Sequence, residues 1–335
     1  MVNQIKYNYI IAQLFYQVIT AFLEVISMLV ISAKSGQLGN RLLLFANFIA
    51  FALENNLTVL NPAFEDYAEF FQTTARDLLC CYPASRFSIF GNKLLRNLYY
   101  KFNRYLVDSR YFEVIDIKRN KPFNWNNFDL VEKLQPGKLT FFQGWLFRDG
   151  WFVAEVEKLR KYKEAIRTYF QPLRNYQDNV SKLISSIRQK TDIVIGIHIR
   201  HGDYRQHQDS RYFFEVEQYV KVMESAQALF PNQKVTFLIC SNEQQPHYHF
   251  QNLSYVFGNN HIIEDLYSLA ECDYIIGPPS SYTMWASFYG ERPLYMIRDV
   301  NRNNIDIKDF VQFFEWQGIF HYNEDWSKSY WEWTH

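Results

Sequence analysis

Hydrophobic positions follow one pattern up to about residue 170 and a more regular one from Ile193 onward. In the later part, apolar runs of strand length at 193–199, 235–240, 254–257, 274–276 and 294–297 alternate with helix-length segments at 212–229, 263–271 and 282–289. Strand, helix and strand at this spacing predict βαβ units and a parallel sheet. In the earlier part, Met28–Ser32 reads as a short buried strand, followed by a glycine-bearing turn, Ser35 to Asn40. Arg41 to Glu54 reads as a helix, because Leu42, Phe45, Ile49 and Leu53 recur at steps of three and four. Leu57–Leu60 predicts a second strand, Leu139–Phe142 a third, and Trp151–Phe170 a charged amphipathic helix that Pro172 closes. Residues 61–138, aromatic-rich and broken by Pro62, Pro83, Pro122 and Pro136, predict only short helices. The chain thus divides near 171–190 into two α/β halves, 28–180 and 181–335, each expected to be Rossmann-like and to face the other across a cleft. It has no internal repeat and no low-complexity tract.

Before Met28 the pattern changes again. The run Ile10 to Val30 is apolar, but Gln13, Gln17, Thr20 and Glu24 interrupt it at steps of four, three and four and draw one polar stripe on a helix. A carboxylate at Glu24 would be costly at mid-membrane depth. Residues 1–27 are therefore expected to form an amphipathic extension that lies on a membrane surface or on the protein, not a span. No basic start with a small-residue cleavage site marks a signal peptide.

Composition narrows the class of function. With 48% hydrophobic and 21% charged residues the chain is a folded globular protein. Lys+Arg and Asp+Glu tie at 35, so no broad basic surface awaits a polyanion, which argues against nucleic acid as a partner. Cys80, Cys81, Cys240 and Cys272 form no C-x-x-C pair and no disulfide framework, so free thiols and a cytoplasmic location are expected, with residues 6–24 available for peripheral contact at the inner face of a membrane. The 30 Phe, 24 Tyr and 8 Trp are expected to supply most of the core.

Candidate chemistry lies where strands end. In Ile193 to Tyr204, side chains alternate faces, so the four isoleucines 193, 195, 197 and 199 share one face and Gly196, His198 and Arg200 the other. Arg200 stands at the carboxyl end of its strand, where open α/β sheets bind ligands, and its planar fork suits a diphosphate. An ion pair with Asp203 would explain it equally well. Gly277 to Thr283 joins a strand to a helix, and Ser280, Ser281, Tyr282 and Thr283 at that helix start suit an anion, although ordinary capping by Ser281 is the simpler reading. Gly36-Gln37-Leu38-Gly39-Asn40-Arg41 is a third strand-to-helix turn and lacks the Lys-Ser/Thr of a P-loop. Ser241-Asn242-Glu243 offers an acceptor carboxylate for a ribose or a base, although a solvated loop explains it equally well. His247 and His249 lack a third ligand, and no D-x-D stands in a loop, so no metal is expected.

Together these segments resemble the α1,2-fucosyltransferases, GDP-fucose-dependent enzymes of the two-domain GT-B type. His198-Ile-Arg-His-Gly-Asp-Tyr204 resembles the family's H-x-R-R-x-D-Y motif, and Gly36 to Arg41 its G-G-L-G-N-Q turn. Phe142-Gln-Gly-Trp145, with the helix carrying Glu155 and Phe170, is similar to its G-Y-x-Q-S-E segment. Asp265 to Asp273, leading into Ser280 to Ala286, resembles its last nucleotide-site motif. The resemblance runs from Met28 to Ile297. It implies an acceptor-side N-terminal domain and a C-terminal domain that binds the nucleotide sugar and ends in a tail. It also implies inverting transfer of L-fucose from GDP-fucose to a galactose hydroxyl of a glycan acceptor, without cofactor or obligatory metal, with Arg200 on the pyrophosphate. The second Arg of the motif is His201 here, the Gln after Gly-Asn is Arg41, and the middle segment lacks its Ser. Arg41 would restore the cation missing at 201. The expected donor site is Gly39, Asn40, Arg41, His198, Arg200, Asn242, Glu243 and Ser280 to Thr283. Asp203 is the first candidate base and His201 the second. Another nucleotide-sugar donor, or a catalytically silent nucleotide- or glycan-binding protein, is the alternative.

Overall fold

The computed structural model describes residues 28–84, 90–109, 111–117, 139–144, 156–206, 210–299, 302, 305–315, 317–321 and 330–334. The expected extension 1–27, Trp145 and Glu155 lie outside them. The chain forms two compact units: one takes residues up to Gly36 and Leu44–Gln171, the other Gln37–Leu43 and Pro172 onward.

The first unit is built on a five-stranded sheet. Its strands are β1 (Met28–Ile31), β2 (Thr58–Leu60), β3 (Cys81–Tyr82), β4 (Glu113–Ile117) and β5 (Leu139–Gly144), in the order β3-β2-β1-β5-β4. β3 runs antiparallel to β2 and every other neighbouring pair is parallel. All four residues of β1 are buried, as the apolar run predicts. The helix expected at Arg41–Glu54 runs from Leu38 to Asn55 (α1). Much of the Phe content is here: Phe45, Phe64, Phe71 and Phe170 form a cluster with centroids 5.5–5.8 Å apart, edge-on except for the tilted pair Phe64–Phe71. Such pairs contribute about 0.5–1.5 kcal/mol each beyond their area burial.

The stretch read as irregular holds a 16-residue helix, α2 (Lys93–Asp108), started by Asn92, whose side chain accepts from the Leu95 backbone at 2.9 Å. Its buried face is Arg96, Tyr99, Asn103 and Val107, while Leu94 (68%) and Tyr105 (70%) are exposed. Arg96 turns inward to donate to backbone carbonyls, at 2.9 Å to Ala75 and 3.3 Å to Gly91. Polar residues inside and apolar residues outside invert the usual stripe, so the apolar spacing hides this helix. The helix expected over 151–170 is two within the described residues, α3 (Val156–Lys161) and α4 (Lys163–Tyr169), broken at Tyr162.

The second unit starts with α5 (Arg174–Arg188) and then follows the predicted alternation: β6 (Ile193–Ile199), α6 (Val216–Gln227), β7 (Val235–Ser241), β8 (Tyr255–Phe257), α7 (Ile262–Ala270), β9 (Tyr274–Gly277), α8 (Ser281–Gly290) and β10 (Leu294–Met296). The sheet is parallel throughout, in the order β10-β9-β6-β7-β8. Counted from β6 this is the order 3-2-1-4-5 of the doubly wound dinucleotide-binding fold, and the winding reverses between β6 and β9. A hairpin, β11 (Gln317–His321) with β12 (Tyr330–Thr334), follows. The four β6 isoleucines sit in one core cluster with Tyr219, Met223, Phe237 and Ile239, as their spacing requires. On the opposite face Gly196 carries α7: a Cβ there would lie 2.7 Å from Leu269 Cδ2 and 3.0 Å from Cys272 Sγ. All four cysteines are free and buried.

Candidate active site

Open parallel sheets bind ligands outside the carboxyl ends of their strands, at the point where the winding reverses. Here that point lies between the ends of β6 and β9, and His198, Arg200 and the segment 277–283 meet there. The two strands are close enough that a Cβ on Gly277 would lie 3.2 Å from His198 Cβ. The loop after β9 is tied to the loop after β6 by Tyr204, whose hydroxyl donates to Pro279 O at 2.9 Å.

Arg200 is one residue beyond β6, and its side chain is 16% exposed. Its Nη2 donates to Gln37 Oε1 at 2.9 Å and lies 2.8 and 3.0 Å from the two carboxylate oxygens of Asp203. The guanidinium also lies over the Tyr204 ring, 5.4 Å from its centroid. The Asp203 clamp anticipated from the sequence therefore exists. It occupies Nη2, while Nε and Nη1 have no protein acceptor among the described residues. A guanidinium carries five N–H donors, so three remain for an anion.

His198 and Asp265 lie behind this edge. His198 is buried and stacked on Tyr282, with centroids 4.7 Å apart, and neither ring nitrogen has a hydrogen-bond partner. The Cys240 backbone is near but outside hydrogen-bonding geometry. Burial, and then the positive Arg200, push the imidazole down to about 3, so it is neutral at every physiological pH. Asp265 stands in the first turn of α7. Burial raises its carboxyl to about 7; the backbone N–H groups of Asn259, Asn260 and His261 oppose the shift and the Glu264 charge adds to it. Asp265 Oδ1 is buried without a partner, whereas its neighbour Glu264 accepts from Asn179 and Asn259, each at 2.7 Å. Gly258 keeps this place open, since a Cβ there would lie 2.5 Å from Asp265 Oδ1. Unpaired buried polar atoms are costly and rare, and His198 and Asp265 each carry at least one behind this edge. The sequence points to Asp265 only as the first residue of a motif. Its sharper signal is a carboxylate among Ile262, Ile263, Leu266 and Leu269.

Two helix starts meet at the same place. Ser280 caps α8, its hydroxyl accepting from Tyr282 N at 3.2 Å, so Ser280 and not Ser281 is the cap. Gly39, in the first turn of α1, lies against that start: a Cβ would come within 2.6 Å of Tyr282 N and 2.7 Å of the Ser281 carbonyl carbon. The glycine is thus required for backbone-to-backbone approach. Two positive helix ends beside a guanidinium, with Asp203 as partial compensation, leave an excess of positive potential that favours an anion.

Other predicted site residues have structural duties. Thr283 is fully buried, and its hydroxyl donates to Ser280 O at 2.9 Å. Tyr282 presents its ring to His198 and its hydroxyl to Ile262 O at 2.7 Å. Asn242 accepts from the His201 backbone at 2.8 Å and crowds Gly202, which sits at φ +55°. Glu243 pairs with Arg205 at 2.9 Å. Asn40 and Arg41 are half-buried in the first turn of α1.

His201 is not placed as a base. Its ring is buried, with Nε2 3.0 Å from Phe214 O, Nδ1 3.3 Å from Gln245 Nε2, and the Phe213 ring at 5.0 Å. A residue of this motif thus serves packing, and restoring an arginine would overfill the site. His201→Arg is expected to cost about 1–3 kcal/mol. That should lower the melting temperature by several degrees in a thermal scan. An unchanged melting temperature with tighter anion binding would put position 201 on the ligand instead.

No group of three or more His, Cys, Asp or Glu able to hold a metal exists among the described residues. His247 engages the Tyr255 hydroxyl at 2.8 Å and His249 engages Glu217 at 3.1 Å, so the two imidazoles have separate partners. No helix among the described residues is long and apolar enough to cross a membrane.

A parallel α/β unit with a positive crevice at its winding reversal, preceded by a second, mostly parallel unit, is a two-domain fold of the GT-B kind. The glycosyl transferase family 11 profile matches residues 145–320, more than half of the sequence, and the chain belongs to that family. No curated protein matches it. Among solved structures, a point mutant of Arabidopsis thaliana FUT1 in complex with GDP is similar in fold, with TM-score 0.53 and 14% identity over 88% of this chain and 76% of that one. The fucosyltransferase NodZ from Bradyrhizobium aligns with TM-score 0.44 and 14% identity, covering 78% of this chain and 92% of its own. A family 9 glycosyl transferase from Veillonella parvula aligns with TM-score 0.43 and 11% identity over 80% of each chain.

Proposed function

We propose that this glycosyltransferase moves L-fucose from GDP-fucose, with inversion, onto a galactose hydroxyl of a glycan, in an α1,2 linkage. The observation that carries the donor is the pair of unpartnered buried groups, Asp265 Oδ1 and the His198 ring, behind a cationic crevice. Guanine presents adjacent N1–H and N2–H donors with an O6 acceptor beside them. A carboxylate accepts the donors, and a neutral imidazole N–H suits the acceptor. Uracil presents one ring N–H between two carbonyls and would leave a carboxylate facing oxygen. The diphosphate then falls on Arg200 and the α8 start, which stabilise the charge that develops on it as the anomeric carbon takes on oxocarbenium character. Of the two expected bases only Asp203 is accessible, with its side chain 50% exposed, and it takes the acceptor proton. The fucose and its linkage rest on the resemblance of His198–Tyr204 and Gly36–Arg41 to the α1,2-fucosyltransferase motifs.

Calorimetric titration with GDP and UDP, followed by hydrolysis assays on GDP-fucose and GDP-mannose in excess EDTA, tests this reading. GDP is expected to bind at least about tenfold tighter than UDP, the difference of one charge-assisted hydrogen bond. GDP-fucose should turn over without added metal. Equal binding of both nucleotides, or strict dependence on Mg²⁺ or Mn²⁺, would defeat it.

A further inference from the structure

We infer that Gln37 is a positioning residue for Arg200, one that orients the guanidinium toward a diphosphate; the inference rests on the GDP-dependent reading above. Gln37 stands between Gly36, at φ +60°, and the first residue of α1, and its carbonyl accepts from Arg41 N at 3.1 Å. That makes it the N-cap position of the helix. Ser, Thr, Asp and Asn are the side chains that cap well there, and Gln is not one of them. Its amide goes elsewhere: Oε1 accepts from Arg200 Nη2 at 2.9 Å, across 163 positions of sequence.

The consequence lies in how the five guanidinium donors are shared. Gln37 and Asp203 both take Nη2, from two sides, and the Tyr204 ring lies against the guanidinium. With Nη2 held, the plane of the group is fixed and the Nε and Nη1 donors have one direction in which to point. Asp203 alone would hold Nη2 through an exposed carboxylate three residues away, a contact that leaves the plane free to swing. A neutral amide is the suitable second anchor, because it orients the cation without cancelling the charge that the diphosphate needs. A carboxylate at 37 would do both.

The test compares GDP with guanosine, which has the base and ribose but no phosphate, on the unaltered protein and on Gln37→Met. Methionine matches the length and volume of Gln and lacks the acceptor. Gln37 is exposed, so the variant keeps its core. The dissociation constant for GDP is expected to rise about tenfold, because a guanidinium free to swing forfeits about one charge-assisted hydrogen bond to the diphosphate. The constant for guanosine and the melting temperature should not move. Equal GDP affinity in the two proteins would overturn the inference, and so would equal weakening of GDP and guanosine, which would mark a general loosening of the helix start. If the unaltered protein binds guanosine and GDP with the same affinity, Arg200 has no phosphate to meet. If it binds neither, the GDP-dependent reading itself is wrong.

Discussion

Replacing Arg200 by Ala is expected to lower the transfer rate by at least about a hundredfold while leaving the melting temperature nearly unchanged. The first half follows from electrostatics. One preorganised donor aimed at charge that develops in the transition state contributes roughly 3 kcal/mol to the barrier. Arg200 offers three donors and a full charge next to two helix starts. The second half follows from what the substitution leaves behind. The partners of the guanidinium are Gln37 and Asp203, and both are solvent-accessible, so removing the cation buries no unpaired charge. An ion pair of that kind is worth about 0–1 kcal/mol to stability. The part-buried hydrogen bond from its backbone N–H to the Tyr219 hydroxyl at 3.3 Å survives the change. Activity and thermal scanning on the same preparation decide the matter. A melting temperature lowered in proportion to the lost activity would make Arg200 a structural clamp.

The sequence was legible where local pattern and tertiary demand agree. In the second unit the alternation of strand and helix is preserved almost residue for residue, because a parallel sheet buries its strands on both faces and writes them as unbroken apolar runs. The placement of Arg200 followed from two rules, side-chain alternation and ligands at carboxyl ends. The helix Lys93–Asp108 was not legible, since its inner face is made of Arg96, Tyr99, Asn103 and Val107. No rule of apolar spacing finds a helix whose buried positions include an arginine bonded to carbonyls 21 and 5 residues away.

Within the site the error has a common form. His201 and Thr283 sit in the segments expected to meet the ligand, and adjacency in sequence suggests adjacency to it. A residue one step along from Arg200 points the other way, so His201 enters the cluster of Phe213 and Phe214 while Arg200 faces out. Asp265 and Gln37 were under-read for the opposite reason. Their partners, Gly258 with its missing Cβ and Arg200 163 positions away, become neighbours only in the folded chain.

The sharpest consequence of that geometry concerns Asp265, where stability and binding are expected to move in opposite directions with pH. Its carboxyl is raised by burial from an ordinary value near 3.8 to about 7. Between about pH 4 and 7 the folded protein therefore holds a proton that the unfolded chain has lost, and stability falls as pH rises through that window. Guanine needs the opposite state, because its N1–H and N2–H donors require an ionised acceptor. GDP affinity should therefore rise between pH 6 and 8, by up to about tenfold per unit below the carboxyl pKa, while the melting temperature of the empty protein falls. Asp265→Asn separates the two. The amide carries no charge to bury, so at pH 8 the variant should be the more stable protein, by on the order of a few kcal/mol. It should also bind GDP about ten- to a hundredfold more weakly there, with little pH dependence, since its N–H₂ meets donors with donors. A residue that costs stability and is kept for its ligand is the pattern expected of a functional site. Thermal scans and titrations at pH 6, 7 and 8 check both signs, and an Asp265→Asn variant that loses stability and keeps GDP affinity would return this carboxylate to the core.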